Sequence, residues 1–296
     1  MKTQITYLQP VMQIQGRQNA QNIKGKSYEK FFNPQLAAPV EMVNAVNAGA
    51  LPSEKIFAPT AENLNRWLAD PYQMPVSGYG VLNEGGRGIT AFTCSRHFMP
   101  NVNSEMFKWW MLWHTVEKER YTLWFPQAHI NNSLADPERA ADTSLSFEER
   151  FYNNSNHIVE YIGEMVLDTE AEFVPPTQFG FTQELLEKQG ITASASGWAH
   201  TVGNKNVATA ILIHLVRNVD GGAEMFSLYY TTPHAEFSRI AQIEGAGERG
   251  VQFALSQGLT ERHALSSAYE MAVHDMTEFT HLAEILPELY AQFGQQ

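Results

Sequence analysis

The C-terminal segment places the tightest constraint on how this chain can fold. From Thr260 to Leu286, just before Pro287, one apolar stripe recurs at helical spacing: Leu265, Ala268, Tyr269, Ala272, Met276, Phe279, Ala283 and Leu286. A helix with such a stripe must bury it against another element. At roughly 100° per residue, His274, Glu278 and His281 fall opposite the stripe. A solvated face would carry Lys or Arg, yet neither occurs after Arg262, and Ser267 and Met271 occupy that face instead. The pattern predicts a helix buried on two sides, with a polar cavity along one of them.

The partner for that helix is visible upstream. Runs with period-two alternation occur around Tyr121–Ile130, Asn156–Leu167, Ala208–Val219 and Glu224–Thr231. Asp220, Gly221 and Gly222 join the last two as a hairpin turn. Asn103–Lys118 reads as a helix with an aromatic face of Phe107, Trp110 and Trp113. Residues 1–75 are rich in Gln, Asn, Ala and Pro, with short helical patterns around Val40–Asn47 and Ala61–Leu68. Pro52, Pro59, Pro71 and Pro75 punctuate them. The expected organisation is a small N-terminal subdomain or arm with its linker over 1–75 and a larger domain over 76–296. No strand–helix alternation of the doubly wound kind is present. The fold class is α+β, an antiparallel sheet with a long C-terminal helix packed on it.

Composition narrows the function. The 296 residues carry a net charge of −12, so no basic field exists to neutralise phosphates, and a nucleic-acid partner is excluded. The apolar run Ala208–Val216 is too short to span a bilayer and contains His214. Met1–Gly16 has no apolar core of the kind a signal peptide needs. One cysteine, Cys94, rules out an intrachain disulfide and a Cys-rich zinc knuckle, and fits a cytoplasmic location.

The chemically informative residues are polar groups at positions where a core pattern predicts apolar ones. Glu160 and Glu164 share a strand face with Ile158, Ile162 and Val166. Either that face is buried and its carboxylates are paired, metal-bound or protonated, or Val159, Tyr161 and Met165 point inward instead. His214 shares a face with Ala210, Leu212 and Val216, and Tyr229 with Met225, Ser227 and Thr231. A lone His or Tyr in a strand is more often a satisfied core group than a ligand. His274 and Glu278 stand one helical turn apart, side by side, able to grip one ion. His129 could add a third ligand and Glu160 a fourth. Two neutral imidazoles and two carboxylates balance a divalent cation, and mixed N/O donors suit zinc. Gly245, Gly247 and Gly250 match the dinucleotide fingerprint, with Glu270 about 20 residues beyond. The preceding residues 233–244 look helical, so these glycines are expected in a loop between two helices.

Taken in order, the segment Glu119–Asn132 (ERYTLWFPQAHINN), the strand around Glu160, His214 in ILIHL, Tyr229 in LYY, and His274–Glu278 (HDMTE) resemble the 2,4-diacetylphloroglucinol hydrolases and phloretin hydrolases. The resemblance spans most of residues 80–290. It implies a helix-grip fold of the Bet v 1 type and zinc held by His129, Glu160, His274 and Glu278. It also implies a homodimer, and an acylated phenol whose hydroxyls meet Tyr121, Asn132, His214 and Tyr229. The implied reaction is hydrolysis of the bond between ring and acyl carbon, with Glu160 and His214 as the catalytic groups. A non-catalytic carrier of apolar molecules is the competing expectation, because helix-grip folds bind such ligands without chemistry.

Overall fold

The computed structural model describes residues 4–7 and 13–294. A short antiparallel pair, β1 (Ile5–Tyr7) and β2 (Ala37–Pro39), precedes the main sheet. The sheet contains β3 (Ser77–Asn83), β4 (Ile89–Pro100), β5 (His129–Leu134), β6 (Asn156–Ile162), β7 (Met165–Phe173), β8 (Ile191–Ser194), β9 (Gly197–Thr201), β10 (Asn204–Val219) and β11 (Gly222–Tyr230). Its order is β3-β4-β11-β10-β9-β7-β6-β5, with β8 pairing on β10, and every pairing is antiparallel. The C-terminal helix, Glu261–Phe293, packs against β3, β4 and β6. This is the helix gripped by an antiparallel sheet that the sequence predicts.

Both faces of the sheet are covered, so β10 and β11 bury apolar side chains on both faces. Ile213, Leu215, Phe226 and Leu228 meet Leu64, Trp67, Phe237 and Ile240 on one face. On the other, Val216 and Met225 join Trp110, Phe279, Leu282 and Leu286 around the C-terminal helix. The apolar stripe is buried at Ala268, Ala272, Met276, Phe279 and Leu286. Leu265 and Tyr269, each 38% exposed, lie at its edge. His274, Glu278 and His281 are buried as well, so the helix is enclosed on two sides.

Several boundaries differ from the sequence reading, each for a local reason. Tyr121–Ile130 is not a strand. A helical turn, Lys118–Tyr121, leads into i→i+3 turns closed by Leu123, Trp124 and Ala128 amides, and the strand begins only at His129. Asn156–Leu167 is two strands, folded back at Gly163, whose φ of 61° suits glycine. Glu164 therefore sits in an exposed turn. The helix expected over Asn103–Lys118 covers Ser104–Trp113, capped by the Asn103 side chain, and tightens into a 3-10 turn at His114–Val116. Residues 13–22 form a helix that carries too little apolar periodicity to be read in advance.

The C-terminal helix continues through Pro287 to Phe293 instead of stopping. The missing N–H costs about 3 kcal/mol. Burial of Leu289 and of Phe293, whose ring lies 5.6 Å from Trp113, offsets it at about 1.5–3 kcal/mol for each side chain.

The glycines of the apparent dinucleotide fingerprint serve close packing. Gly245 precedes a helix, Ala246–Ser256, that follows another helix, Phe237–Ala241, with no strand leading into it. A Cβ on Gly250 would stand 2.0 Å from the Ala208 carbonyl oxygen, and one on Gly247 2.5 Å from that of His234. Gly250→Ala should therefore push this helix off β10 and destabilise the fold by about 1–3 kcal/mol. Urea unfolding checks this; an unchanged midpoint would mean that the helix does not need this approach.

Candidate metal centre and its pocket

Three segments far apart in sequence bring His129, Glu160, His274 and Glu278 together. In the β5–β6 ladder His129 is the direct partner of Glu160. His274 and Glu278 face them from the helix. His129 Nε2 lies 3.3 Å from Glu160 Oε2 and 3.5 Å from Glu278 Oε2. His274 Nε2 lies 3.5 Å from Glu278 Oε2 and 4.0 Å from Glu160 Oε2. Ligands of a tetrahedral ion at roughly 2.0–2.1 Å stand about 3.3 Å apart, so this spacing fits a single small cation. Ligand atoms of His129, His274 and Glu278 all fall within 4.8 Å of one another. Among the described residues His129 Nε2 is buried and makes no hydrogen bond.

The surroundings orient these donors. His129 Nδ1 lies 3.0 Å from the Tyr121 carbonyl, which can only accept, so Nδ1 carries the proton and Nε2 offers its lone pair. The Tyr121 ring stacks on the His129 imidazole at 3.8 Å, with 5° between planes, and its hydroxyl donates to Glu160. Phe125 covers His274 at 4.9 Å. Asn19, from the helix over 13–22, donates to the carbonyls of Pro126 and His129, each at 2.8 Å, and so ties down the segment that carries His129. A one-residue bulge at Ile130 shifts the β5 register, so that His129 pairs with Glu160 and Asn132 with Ile158. Strict alternation would have sent residues 129 and 132 to opposite faces.

Burial is the largest influence on the electrostatics of the cluster, ahead of the charged neighbours. It holds the carboxyl of Glu160 above its ordinary range and that of Glu278 well above it. It also pushes His274 down and His129 well below the usual imidazole value. Each shift reflects a charge left without water. A divalent cation between the four groups would reverse the carboxylate shifts by favouring the ionised form, and would reinforce the neutral state of the imidazoles.

Beside the cluster lies a pocket of about 260 Å³. Phe107, Trp124, Ile158 and Leu212 make its apolar walls, and Met165, Val166 and Leu167 at the β6–β7 hairpin form an exposed apolar rim. Glu160, Ile158 and Ile162 all line it, so the Glu160 face of β6 is the inward one. Tyr121, Asn132, His214 and Tyr229 line it too. Tyr229 donates to Asp275 Oδ1 at 2.8 Å, and Asp275 Oδ2 lies 2.9 Å from His97 Nε2. His214 Nδ1 lies 2.9 Å from Ser227 Oγ, and burial pushes its pKa down to about 4. The sequence reading singled out neither Asp275 nor His97. Their only signal was polarity at positions that the fold buries completely. His114, also unread, lies in the pocket wall against Asn132.

His281 lies on the same helical face but outside the group of four. Burial pushes its pKa down from 6.5 to about 4. Between those values the unfolded chain binds a proton that the folded chain does not. The stability this neutral histidine allows is full above pH 6.5 and is lost as pH falls toward 4. Wild type should therefore lose stability relative to His281→Leu below pH 6.5, by about 1.4 kcal/mol per pH unit. Paired thermal melts at pH 7.5 and 5 test this, and parallel behaviour of the two proteins would refute it.

The family match and the named relatives point to a single family. The family described as "DAPG hydrolase PhiG domain" matches residues 57–291. A 2,4-diacetylphloroglucinol hydrolase of Pseudomonas sp is 35% identical over 99% of this chain and 97% of its own length. One from Pseudomonas protegens is 34% identical over 99% of this chain and 92% of its own. A phloretin hydrolase of Eubacterium ramulus is 25% identical over 91% of each chain. The solved structure "Crystal structure of Ara h 8.0201" is similar to 62% of this chain, at 7% identity and a TM-score of 0.29, too weak a likeness to bear on function. With a family match over most of its length and full-length relatives above 30% identity, this chain belongs to the DAPG hydrolase family.

Proposed function

We propose that this protein is a zinc-dependent hydrolase that cleaves the carbon–carbon bond between a phloroglucinol-type ring and its acyl group, converting 2,4-diacetylphloroglucinol to monoacetylphloroglucinol and acetate. The observation that supports the reading is the convergence of His129, His274 and Glu278, with Glu160 3.3 Å from His129, at the edge of a ring-sized pocket. A carrier of apolar molecules has no use for such a cluster. Relatives named for acylated phenols supply the substrate class.

His129, Glu160, His274 and Glu278 would hold the ion. Bound there, zinc supplies Lewis acidity toward a carbonyl oxygen and toward water. The protein's own task is to prepare the ring, because the ring carbon departs with the bonding electrons. Tyr121, Asn132, His214 and Tyr229 hold the phenolic hydroxyls, and the ring reacts through the keto tautomer protonated at the ring carbon. That carbon then leaves as a stabilised enolate. Water adds its hydroxyl to the acyl carbon, the ring keeps the proton, and the products are a phenol and a carboxylic acid. The apolar walls keep bulk water away and strengthen each polar contact. Glu160, already hydrogen-bonded to Tyr121, is placed to act as base as well as ligand. The homodimer and cytoplasmic location implied by the family resemblance belong to the same proposal.

Elemental analysis of purified protein, beside an assay on a panel of acylphloroglucinols before and after chelation, tests the reading. About one zinc per chain and cleavage lost on chelation are expected; metal-free protein that still cleaves would refute it. Glu160→Gln should lower turnover at least tenfold. Full zinc occupancy together with full turnover in that variant would remove Glu160 from the chemistry.

A further inference from the structure

The polarity of the pocket is set from outside it, and the clearest case begins at the Trp110 carbonyl. His114 Nδ1 lies 2.6 Å from that oxygen. A carbonyl can only accept, so Nδ1 carries the proton. Burial pushes the His114 pKa down to about 4, so the ring is neutral and Nε2 is a bare lone pair. The side chain facing Nε2, at 3.1 Å, is the Asn132 amide. Only its NH2 group can satisfy that lone pair, so the amide orientation follows from the chemistry. Asn132 Oδ1 is then left buried and without a partner among the described residues, in the wall of the pocket.

We infer that His114 is a positioning residue: it turns the Asn132 amide so that its oxygen faces the pocket, which thereby selects a ligand presenting a free phenolic O–H. Tyr229 points the same way, because its hydroxyl proton is given to Asp275 and its oxygen remains as an acceptor. The proton of the Tyr121 hydroxyl is likewise committed, to Glu160. Three side chains that could have donated to a ligand thus present acceptors. A phenol with several free hydroxyls satisfies them, whereas an ether or a fluoroarene of the same shape leaves them buried and unpaired. The identity of the ligand as a polyhydroxylated ring rests on the hydrolase reading; the acceptor polarity of the wall rests on the hydrogen bonds of Asn132 to His114, Tyr229 to Asp275 and Tyr121 to Glu160.

The test uses two ligands with no acyl group to cleave, phloroglucinol and 1,3,5-trifluorobenzene, which is similar in shape and cannot donate. Binding to the metal-loaded protein is measured by calorimetry or fluorine NMR. His114→Phe should weaken phloroglucinol binding about tenfold and leave trifluorobenzene within about twofold. Asn132→Leu should do the same, and adding His114→Phe to it should cause no further loss. His114→Gln, whose amide oxygen can accept from Asn132, should restore most of the affinity. An equal loss for both ligands, which a purely structural role would cause, overturns the inference, and so does an unchanged affinity for phloroglucinol. If His114→Phe fails to fold, Asn132→Leu decides, since undiminished preference for phloroglucinol in that variant overturns the inference. Cleavage of acylphloroglucinols by wild type is measured alongside. Its absence would sink the hydrolase reading while leaving the ligand preference to be judged by these affinities.

Discussion

His274→Ala is expected to lose its metal and at least about 10³-fold in cleavage rate together. The imidazole stands 3.5 Å from Glu278 and 4.0 Å from Glu160, and without it two buried carboxylates share one imidazole. Both carboxyls already sit above their ordinary range because burial disfavours their charge. With one neutral ligand gone, they hold protons more readily than a cation. Zinc should fall from about one per chain to well below half, as read by elemental analysis, with turnover on an acylphloroglucinol falling in parallel. The variant should also melt like chelated wild type, since a bound ion at 1,000 times its Kd stabilises the folded state by about 4 kcal/mol. Full metal content with full activity would put the centre elsewhere.

Phe279→Ala should give the largest loss of stability among single core changes near the site. The ring is 1% exposed and lies 5.2 Å from Trp124, 5.0 Å from His214 and 5.4 Å from His97. It lines the pocket beside the metal cluster and also a second cavity of about 570 Å³, bordered by Met42, Arg96 and His97. Truncation removes a packed aromatic and joins two spaces that the ring now separates. The expected cost is about 3–5 kcal/mol, or roughly 10 °C in Tm. Turnover should fall as well, because His214 loses the ring that fixes its plane. A loss below about 1 kcal/mol would mean that neighbouring side chains collapse into the gap.

The helix and its two-sided burial were legible because they follow from spacing and from the absence of basic residues past Arg262. The inward face of β6 was not, because Ile158 and Val159 are equally good core residues and alternation does not say which of two apolar faces meets the helix. Glu160 is inward only because β6 pairs with both β5 and β7 in one register. Asp275 and His97 were missed for a related reason: one polar residue on a helix and one on a strand carry no mark of each other. The error over Tyr121–Ile130 arose from alternation in a segment whose apolar residues pack around turns.

The sequence by itself determined the class of fold, the pairing of His274 with Glu278 and, through resemblance, the candidate ligands and ring contacts. These are properties of periodicity and of residue type in order along the chain. Only the tertiary structure decided that His129 joins the His/Glu cluster while Asn132 lines the adjoining pocket, since a bulge at Ile130 cancels the alternation between them. It alone also decided which atoms the pocket presents. Hydrogen bonds from His129 to Tyr121, from Asn132 to His114 and from Tyr229 to Asp275 join residues 8, 18 and 46 positions apart, and their direction depends on which partner can only accept.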